Sequence, residues 1–225
     1  VHVKKIFLIF FLTIFSVNSS PKCFERSDIF FHVYRNGSKI GYHKINFSGN
    51  EDYVKASVEI KFEVTFLGFV VYDYYHKNEE NWLDDSLVNL KTTTDKNGES
   101  LFCNLNKKND VFVVEGSIGN EEIFNNIIPT SYWNHKLIVG QSTKHVLNTQ
   151  DCSFIDLSIK PLGEKEIYDV ALLTNHYKLT GKESSGEALD IDIWYDQNEN
   201  WVKMIFIKDG SKIEYYLDRF YEKEQ

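Results

Sequence analysis

The sequence is poor in proline and cysteine, with three of each among its 225 residues, and it contains a single methionine. So few prolines, without any low-complexity stretch, leave no candidate linker between domains. The net charge is −8 and the basic residues are scattered, so neither nucleic acid nor an anionic membrane surface is an expected partner. The composition therefore predicts one domain beyond the N-terminal segment.

Recognisable catalytic and metal-binding motifs are also absent from the sequence. It has no Gly-x-Ser-x-Gly turn, no phosphate-binding glycine loop, no His-x-x-x-His and no paired-cysteine spacing. Asp190 and Asp192 share one strand face, where two acids could shift each other's pKa. An enzyme that uses His43, Asp192 and Asp196 is therefore a minor alternative. We expect a non-catalytic protein with no cofactor and no metal.

The first twenty residues have the order of a secretory signal peptide. Lys4 and Lys5 precede an apolar run from Ile6 to Val17, and small polar residues follow. We therefore expect a signal peptide at residues 1–19, a single β-rich domain at 20–225, and a periplasmic or secreted location. An uncleaved N-terminal anchor is the alternative, although the apolar run is short for a bilayer span. We expect no transmembrane span in the mature chain.

Three cysteines in an oxidising compartment allow one disulfide and one free thiol. Cys23 lies just after the expected cleavage site, which favours a bond between Cys103 and Cys152. Three unpaired cysteines remain an equal alternative at this stage.

One long amphipathic strand dominates the rest of the sequence. From Val54 to Phe66 apolar and polar residues alternate without an error, which places the apolar side chains on one face. Thirteen residues span about 43 Å in a strand, so a large curved antiparallel sheet is expected. Gly68 interrupts the pattern and predicts a bend or bulge that lets the sheet curl.

Further strand patterns and hairpin turns occur at short intervals. Asn36-Gly37, Asn97-Gly98 and Asp209-Gly210 are strong hairpin signals between alternating runs. The predicted strands are Ile29–Arg35, Lys39–Phe47, Val54–Phe66, Phe69–His76, Leu87–Thr94, Glu99–Asn104, Val111–Ser117, Phe154–Pro161, Glu166–Leu172, His176–Thr180, Leu189–Tyr195, Trp201–Ile207 and Lys212–Leu217.

Only one segment has the pattern of a helix. Pro129-Thr130-Ser131 resembles a capped helix start, and Tyr132–Ile138 is long enough for two turns. The segment falls between two groups of strands and suits a plug or lid. We therefore predict an all-β fold, a curled antiparallel meander that forms an open or incompletely closed β-barrel with one short helix against it.

Two tryptophan-containing motifs carry a resemblance to a known family. They are Pro129–Asn134 and the pair Asp192–Asp196 with Trp201–Lys203. Single residues at Gly41, His43, Glu80, Trp82 and Gly98 also fit. The chain resembles an uncharacterised bacterial secreted family, domain of unknown function 6134, which is distantly similar to the family numbered 3108. The resemblance implies a β-rich domain of the cell envelope and no particular reaction.

Two histidines are candidates for a metal site. In a regular Asn36-Gly37 hairpin, His32 and His43 are diagonal neighbours on one face, about 7–8 Å apart. No third ligand can be named, so a structural pair is favoured over zinc.

Aromatic residues supply the candidate binding site. Large rings with polar edges suit either a core or the rim of an apolar pocket, and polar side chains such as Asn134 accompany them. The candidate binding residues are Tyr72, Tyr74, Tyr132, Trp133, Trp194 and Tyr195.

Three functions are compatible with these patterns. We favour a monomeric, non-catalytic cell-envelope protein that binds an apolar guest, a lipid or an exported polypeptide, in a cavity beneath Thr130–Ile138. The alternatives are an envelope assembly module with a filled core and a protein partner, or an outer-membrane β-barrel. Strands of about ten residues fit the last class, but charge on both strand faces does not.

Overall fold

A computed structural model describes residues 26–221, apart from residues 51 and 125. The predicted signal peptide at 1–19, the cleavage site and Cys23 lie outside these residues, so those expectations stay predictions. Within the described part of the chain, none of the helices is long and apolar enough to cross a membrane.

Fourteen strands make up nearly all of the described chain. They are β1 Ile29–Arg35, β2 Ser38–Gly49, β3 Tyr53–Phe66, β4 Phe69–Leu83, β5 Ser86–Lys96, β6 Glu99–Lys108, β7 Val111–Gly116, β8 Gly119–Ile123, β9 Thr143–Leu147, β10 Phe154–Ile167, β11 Leu172–Lys182, β12 Ala188–Asp196, β13 Trp201–Lys208 and β14 Ser211–Leu217. A 3₁₀ turn at His135–Leu137 and a short helix α1 at Asp218–Tyr221 complete the elements.

All fourteen strands belong to one antiparallel sheet with the order β8-β7-β6-β5-β4-β3-β2-β1-β14-β13-β12-β11-β10-β9. The chain starts in the middle of the sheet and runs outward strand by strand to β8. It then crosses to the opposite edge at β9 and returns to the middle, where β14 pairs with β1. Each half is a meander, and the two edge strands do not pair with each other.

The sheet curls, so that its inner face encloses the core. The rings of Phe62 on β3 and Tyr215 on β14 lie 6.2 Å apart between centroids, although β1 and β2 separate these strands in the sheet. The predicted fold, an all-β meander in an unclosed, barrel-like sheet with a short helix, is confirmed.

The long alternating strand occurs as predicted, but Gly68 does not bend it. Leu67 and Gly68 have φ values of 51° and 83° and form a two-residue hairpin turn between β3 and β4. Both central residues of such a turn need a positive φ, which glycine adopts without strain. The bend prediction was wrong because the strand that follows Gly68 pairs directly with β3. The tip of this hairpin is apolar and exposed, with Leu67 81% accessible.

The proposed histidine pair is also wrong. The pairing of β1 with β2 shifts by one residue between Val33 and Tyr34, because Ile40 is an extra residue on β2. His43 therefore lies opposite Phe31 and is buried inside the curl. His32 lies opposite Tyr42 on the other face, where its Nε2 is 2.8 Å from the Asp218 carboxylate. The bulge thus separates the two histidines, and a site shared between them is excluded.

The predicted helix is shorter than expected. Instead of two turns from Tyr132, one 3₁₀ turn forms at His135–Leu137, and the Asn134 side chain caps it by accepting from the Lys136 amide. The earlier part stays extended because Thr130 N donates to Leu147 O and Leu147 N donates to Ile128 O. Residues 128–138, which cover the open side of the curl, are called the roof below.

A disulfide joins the two halves of the sheet. Cys103 on β6 is bonded to Cys152 in turn 148–153, which connects β9 to β10. This is the pairing that the sequence favoured. The turn packs closely on β7, since a Cβ at Gly116 would lie 2.3 Å from Cys152 Cβ. Strand β6 and the β9–β10 turn are therefore connected through a side-chain bond instead of a strand ladder.

Candidate functional site

An internal cavity of about 440 Å³ lies between the curled sheet and the roof. Its floor is the apolar face of β3, where Val58, Ile60, Phe62 and Val64 point inward. Strands β2, β4, β12, β13 and β14 form the walls, and residues 130–133 with residues 148–150 form the ceiling. The long alternating strand therefore contributes its apolar face to a cavity that side chains leave unfilled.

A buried carboxylate holds the roof in place. Glu80 on β4 is fully buried, and its oxygens accept hydrogen bonds from Ser131 Oγ and Trp133 Nε1 of the roof. Trp82 Nε1 at 3.0 Å and Asn78 Nδ2 at 2.6 Å donate from β4 itself. Burial raises the pKa of Glu80, and these four donors act in the opposite direction. Two residues that carried the family resemblance, Glu80 and Trp82, thus meet the Trp133 motif in one network.

Further hydrogen bonds attach the ceiling to the walls. Tyr195 Oη donates to the Tyr132 carbonyl at 2.7 Å, and Thr92 Oγ1 donates to the Thr149 carbonyl at 2.7 Å. These bonds fix both the roof and turn 148–153 against opposite sides of the curl. The ceiling is therefore part of the folded domain and not a loose loop.

Three buried polar atoms at the cavity wall have no hydrogen-bond partner among the described residues. They are both ring nitrogens of His43 and the Oδ1 atom of Asn78. Unpaired buried polar atoms are rare and costly, and they often mark the place of a water or a ligand. Burial lowers the pKa of His43 to about 3, with a smaller effect from His76. His43 is therefore a neutral imidazole.

Charged and apolar residues near several hairpin turns also line the cavity. Lys208 and Glu183 approach each other to 3.6 Å, and Val71 lies close in sequence to the exposed β3–β4 tip. The lining near these turns therefore combines an ion pair with an apolar side chain.

Four of the six predicted binding residues line the cavity: Tyr72, Tyr74, Tyr132 and Trp133. Their role in binding stays a prediction. Trp194 and Tyr195 do not line it, and Trp194 has the opposite parity on β12 to the cavity-lining Ile191. Trp194 stacks on His176 at 4.3 Å, while Tyr195 is buried and holds the roof. These two residues lie outside the cavity lining, and their role in binding also stays a prediction.

The residues of the enzyme alternative are not assembled into one site. Asp192 accepts from His176 Nε2 at 2.7 Å and from Lys178 Nζ at 2.9 Å. Asp196 accepts from Asn200 within its own turn, and His43 bonds to neither.

Three residues of the candidate site are absent from the predicted binding residues. Tyr215 and His43 line the cavity, and Glu80 fastens its roof. Tyr215 lies between the buried Ile213 and Leu217, so the period of two could have placed it on the inner face. Glu80 lies an even number of residues from Tyr72 and Tyr74 on β4, so the period of two could have placed it on the same face as these tyrosines.

Acid should destabilise the fold through the buried histidines. Burial lowers the pKa of His43 to about 3 and that of His76 to about 4, from an unfolded value of 6.5. Their stabilisation is complete above pH 6.5 and is lost as the pH falls toward the folded values. At about pH 5, each histidine lowers the free energy of unfolding by about 2 kcal/mol relative to neutral pH.

Urea unfolding of the wild type and of His43→Phe at about pH 7.5 and about pH 5 tests this expectation. The variant should lose about 2 kcal/mol less than the wild type, because Glu80 and the other titrating groups are common to both proteins. Equal losses in the two proteins would contradict the assignment.

Comparison with solved structures identifies a similar fold. The crystal structure of a β-barrel-like protein of domain of unknown function DUF1849 from Brucella abortus matches with a TM-score of 0.62. The match covers 84% of this chain and 94% of that chain, at 9% sequence identity. At this identity the likeness shows the fold alone.

Comparison at the sequence level identifies a family. No curated protein matches the chain significantly. The expected likeness to the family numbered 3108 stays a prediction. The family model of domain of unknown function DUF6134 matches residues 31–218, which span the sheet from β1 into α1 and include the roof. The chain belongs to the DUF6134 family.

Proposed function

We propose that the protein is a non-catalytic binding protein of the cell envelope or the extracellular space. It holds an apolar guest, a lipid or an apolar segment of an exported polypeptide, inside the curled sheet. The observation that supports this proposal is the cavity of about 440 Å³ above the apolar face of β3. Small-molecule sites in proteins measure roughly 300–1,000 Å³ and have mostly apolar walls with a few polar groups.

Physical chemistry favours an apolar guest over an empty space. Each Å² of apolar surface removed from water contributes about 25 cal/mol. A guest that covers Val58, Ile60 and Phe62 therefore gains from its own burial and from dispersion contacts with side chains that have no neighbour on that side.

The disulfide supports a location outside the cytoplasm. Structural disulfides such as Cys103–Cys152 form and persist in oxidising compartments. The signal-peptide pattern at residues 1–19 points to the same location. Fractionation of cells with an epitope at the C-terminus tests it, and recovery of the protein in the cytosol would contradict it.

A tryptophan placed in the cavity should block guest binding. Ile60 points into the cavity from β3, so Ile60→Trp fills space that a guest would occupy. We expect binding of the neutral apolar fluorophore N-phenyl-1-naphthylamine to weaken at least about tenfold, which corresponds to about 1.4 kcal/mol. The measurement is a fluorescence titration of protein from which bound lipid has been extracted.

The neighbouring residue supplies a matched control. Lys61 lies on the outer face of the same strand and is exposed, so Lys61→Trp should leave binding unchanged. Circular dichroism checks that both variants fold. Unchanged binding by Ile60→Trp, or native mass spectrometry that finds no extractable guest in gently purified wild type, would contradict the proposal.

The hairpin tip favours a second candidate function, an envelope assembly module. Phe66 and Phe69 are 65% and 74% exposed at the β3–β4 turn, beside the exposed Leu67. Exposed apolar patches of this kind often mark protein interfaces. Crosslinking in cells followed by pull-down should recover a defined partner with the wild type, and much less of it with Phe66→Ser/Phe69→Ser. A monodisperse monomer without a partner would contradict this function.

A further inference from the structure

Four polar side chains meet on one side of the cavity. They are His43, Tyr74, Tyr132 and Tyr215, and they are called the polar spot below. The Trp201 indole stands between them: its centroid lies 5.2 Å from His43, 5.7 Å from Tyr132 and 5.8 Å from Tyr215. Phe62 connects Tyr74 to this group, with ring distances of 5.5 Å to Tyr74 and 6.2 Å to Tyr215.

The hydrogen-bonding capacity of the polar spot is unused among the described residues. His43 is 6% exposed, and neither ring nitrogen has a partner. A neutral imidazole has one N–H donor and one lone pair. The ring is nearly perpendicular to Trp201, at 75°, so the N–H can face the indole π-system, but the lone pair still lacks a donor. The three tyrosines line the cavity, and their hydroxyls make no hydrogen bond to any described group.

We propose that the polar spot binds one uncharged hydrogen-bonding group of an amphiphilic guest, a hydroxyl or a carbonyl, while the hydrocarbon part of that guest lies along β3. This inference rests on the proposed guest-binding function and specifies the chemical class of the guest. A hydroxyl can donate to the His43 lone pair and accept from a tyrosine, and a carbonyl can accept from two tyrosines.

An uncharged group is favoured because the polar spot contains no charge of its own. The low pKa of His43, about 3, keeps the imidazole neutral, and burial raises the pKa of Tyr74, Tyr132 and Tyr215. A charged head group would lose its hydration without gaining a counter-ion, which is expensive in an apolar site. The Glu183 carboxylate acts electrostatically on Tyr74 and Tyr132, and its charge repels an anion.

Displacement of N-phenyl-1-naphthylamine by decane, 1-decanol, decanoate and decyltrimethylammonium at neutral pH tests the inference. We expect the affinity for decanol to be at least about tenfold higher than the affinity for either ion. Tyr215→Phe keeps the ring in the cavity wall and removes its hydroxyl, and His43→Phe replaces the imidazole with a slightly larger ring that has no hydrogen-bonding atoms. Each variant should weaken the binding of decanol about fivefold, which corresponds to the loss of one net hydrogen bond. The affinity for decane should change by less than about twofold.

Tyr75→Phe is the matched control. Tyr75 follows Tyr74 on β4 but does not line the cavity. Its hydroxyl is 3.3 Å from the Glu59 carboxylate. This variant should not affect either probe. If His43→Phe does not fold, Tyr215→Phe and Tyr74→Phe provide the same comparison.

The outcomes distinguish the inference from the proposed function. If neither the fluorophore nor decane binds, guest binding itself is wrong, and the inference falls with it. One contrary outcome is that decane binds but decanoate binds as tightly as decanol. Another is that Tyr215→Phe and His43→Phe weaken the binding of decane as much as that of decanol. In either case the polar spot does not select an uncharged head group. Guest binding would then stand and the inference would be overturned.

Discussion

Replacing Glu80 with alanine should lower the free energy of unfolding by about 4 kcal/mol or more. The substitution removes the acceptor of four buried donors, namely Ser131 Oγ, Trp133 Nε1, Trp82 Nε1 and Asn78 Nδ2. Each donor left unpaired costs about 1–3 kcal/mol, and the sum is less than additive because the roof can relax. Urea unfolding measures the loss, and hydrogen exchange should show the amides of residues 128–138 opening first.

The adjacent residue Glu79 is the matched control for this experiment. It points outward from β4, and its carboxylate lies 3.2 Å from Lys55 Nζ on the protein surface. Exposed ion pairs contribute about 1 kcal/mol or less, so Glu79→Ala should be nearly neutral. Glu80→Gln should fall between the two variants, since an amide keeps one acceptor oxygen and turns an NH₂ group toward the other donors. If Glu80→Ala and Glu79→Ala have equal stability, the carboxylate does not hold the roof.

Loss of the disulfide should have the second large effect. Cys103 and Cys152 are 49 residues apart, and a cross-link that closes a loop of this length stabilises the folded state by about 4 kcal/mol in the chain-entropy model. In this protein the bond also fastens turn 148–153 across the open side of the sheet. We therefore expect Cys103→Ser/Cys152→Ser to unfold at a much lower urea concentration and to bind the fluorophore more weakly.

A reductant provides the control for the disulfide. Dithiothreitol should shift the unfolding midpoint of the wild type toward that of the double variant and leave the double variant unchanged. A wild type whose midpoint does not respond to complete reduction, as verified by thiol counting, would show that the cross-link contributes nothing to stability.

The sheet was largely predictable because its signals are local. Alternation with a period of two identifies β3, and Asn36-Gly37, Asn97-Gly98 and Asp209-Gly210 each form a turn with positive φ at both residues. The edge strands β8 and β9 were not predicted. The residues of β8 are nearly all exposed, so no buried face creates an alternation that sequence reasoning can detect.

The site was less predictable, because it depends on register and on contacts distant in sequence. A single extra residue at Ile40 decides that His43 points inward and that His32 points outward. The bonds from Ser131 and Trp133 to Glu80 link residues 51 and 53 positions apart, and no local pattern encodes such a distance. Sequence patterns identify the two faces of a strand, whereas bulges and long-range hydrogen bonds decide which residues each face contacts.

An unclosed sheet has two edges that could pair with strands of other molecules, and this protein limits each edge in a different way. Strand β8 has five residues and presents Glu121 and Glu122, whose charges oppose the approach of another chain. At the opposite edge, the roof lies along the end of β9, where Leu147 exchanges hydrogen bonds with Ile128 and Thr130. The segment that closes the cavity thus also occupies backbone groups that would otherwise invite aggregation.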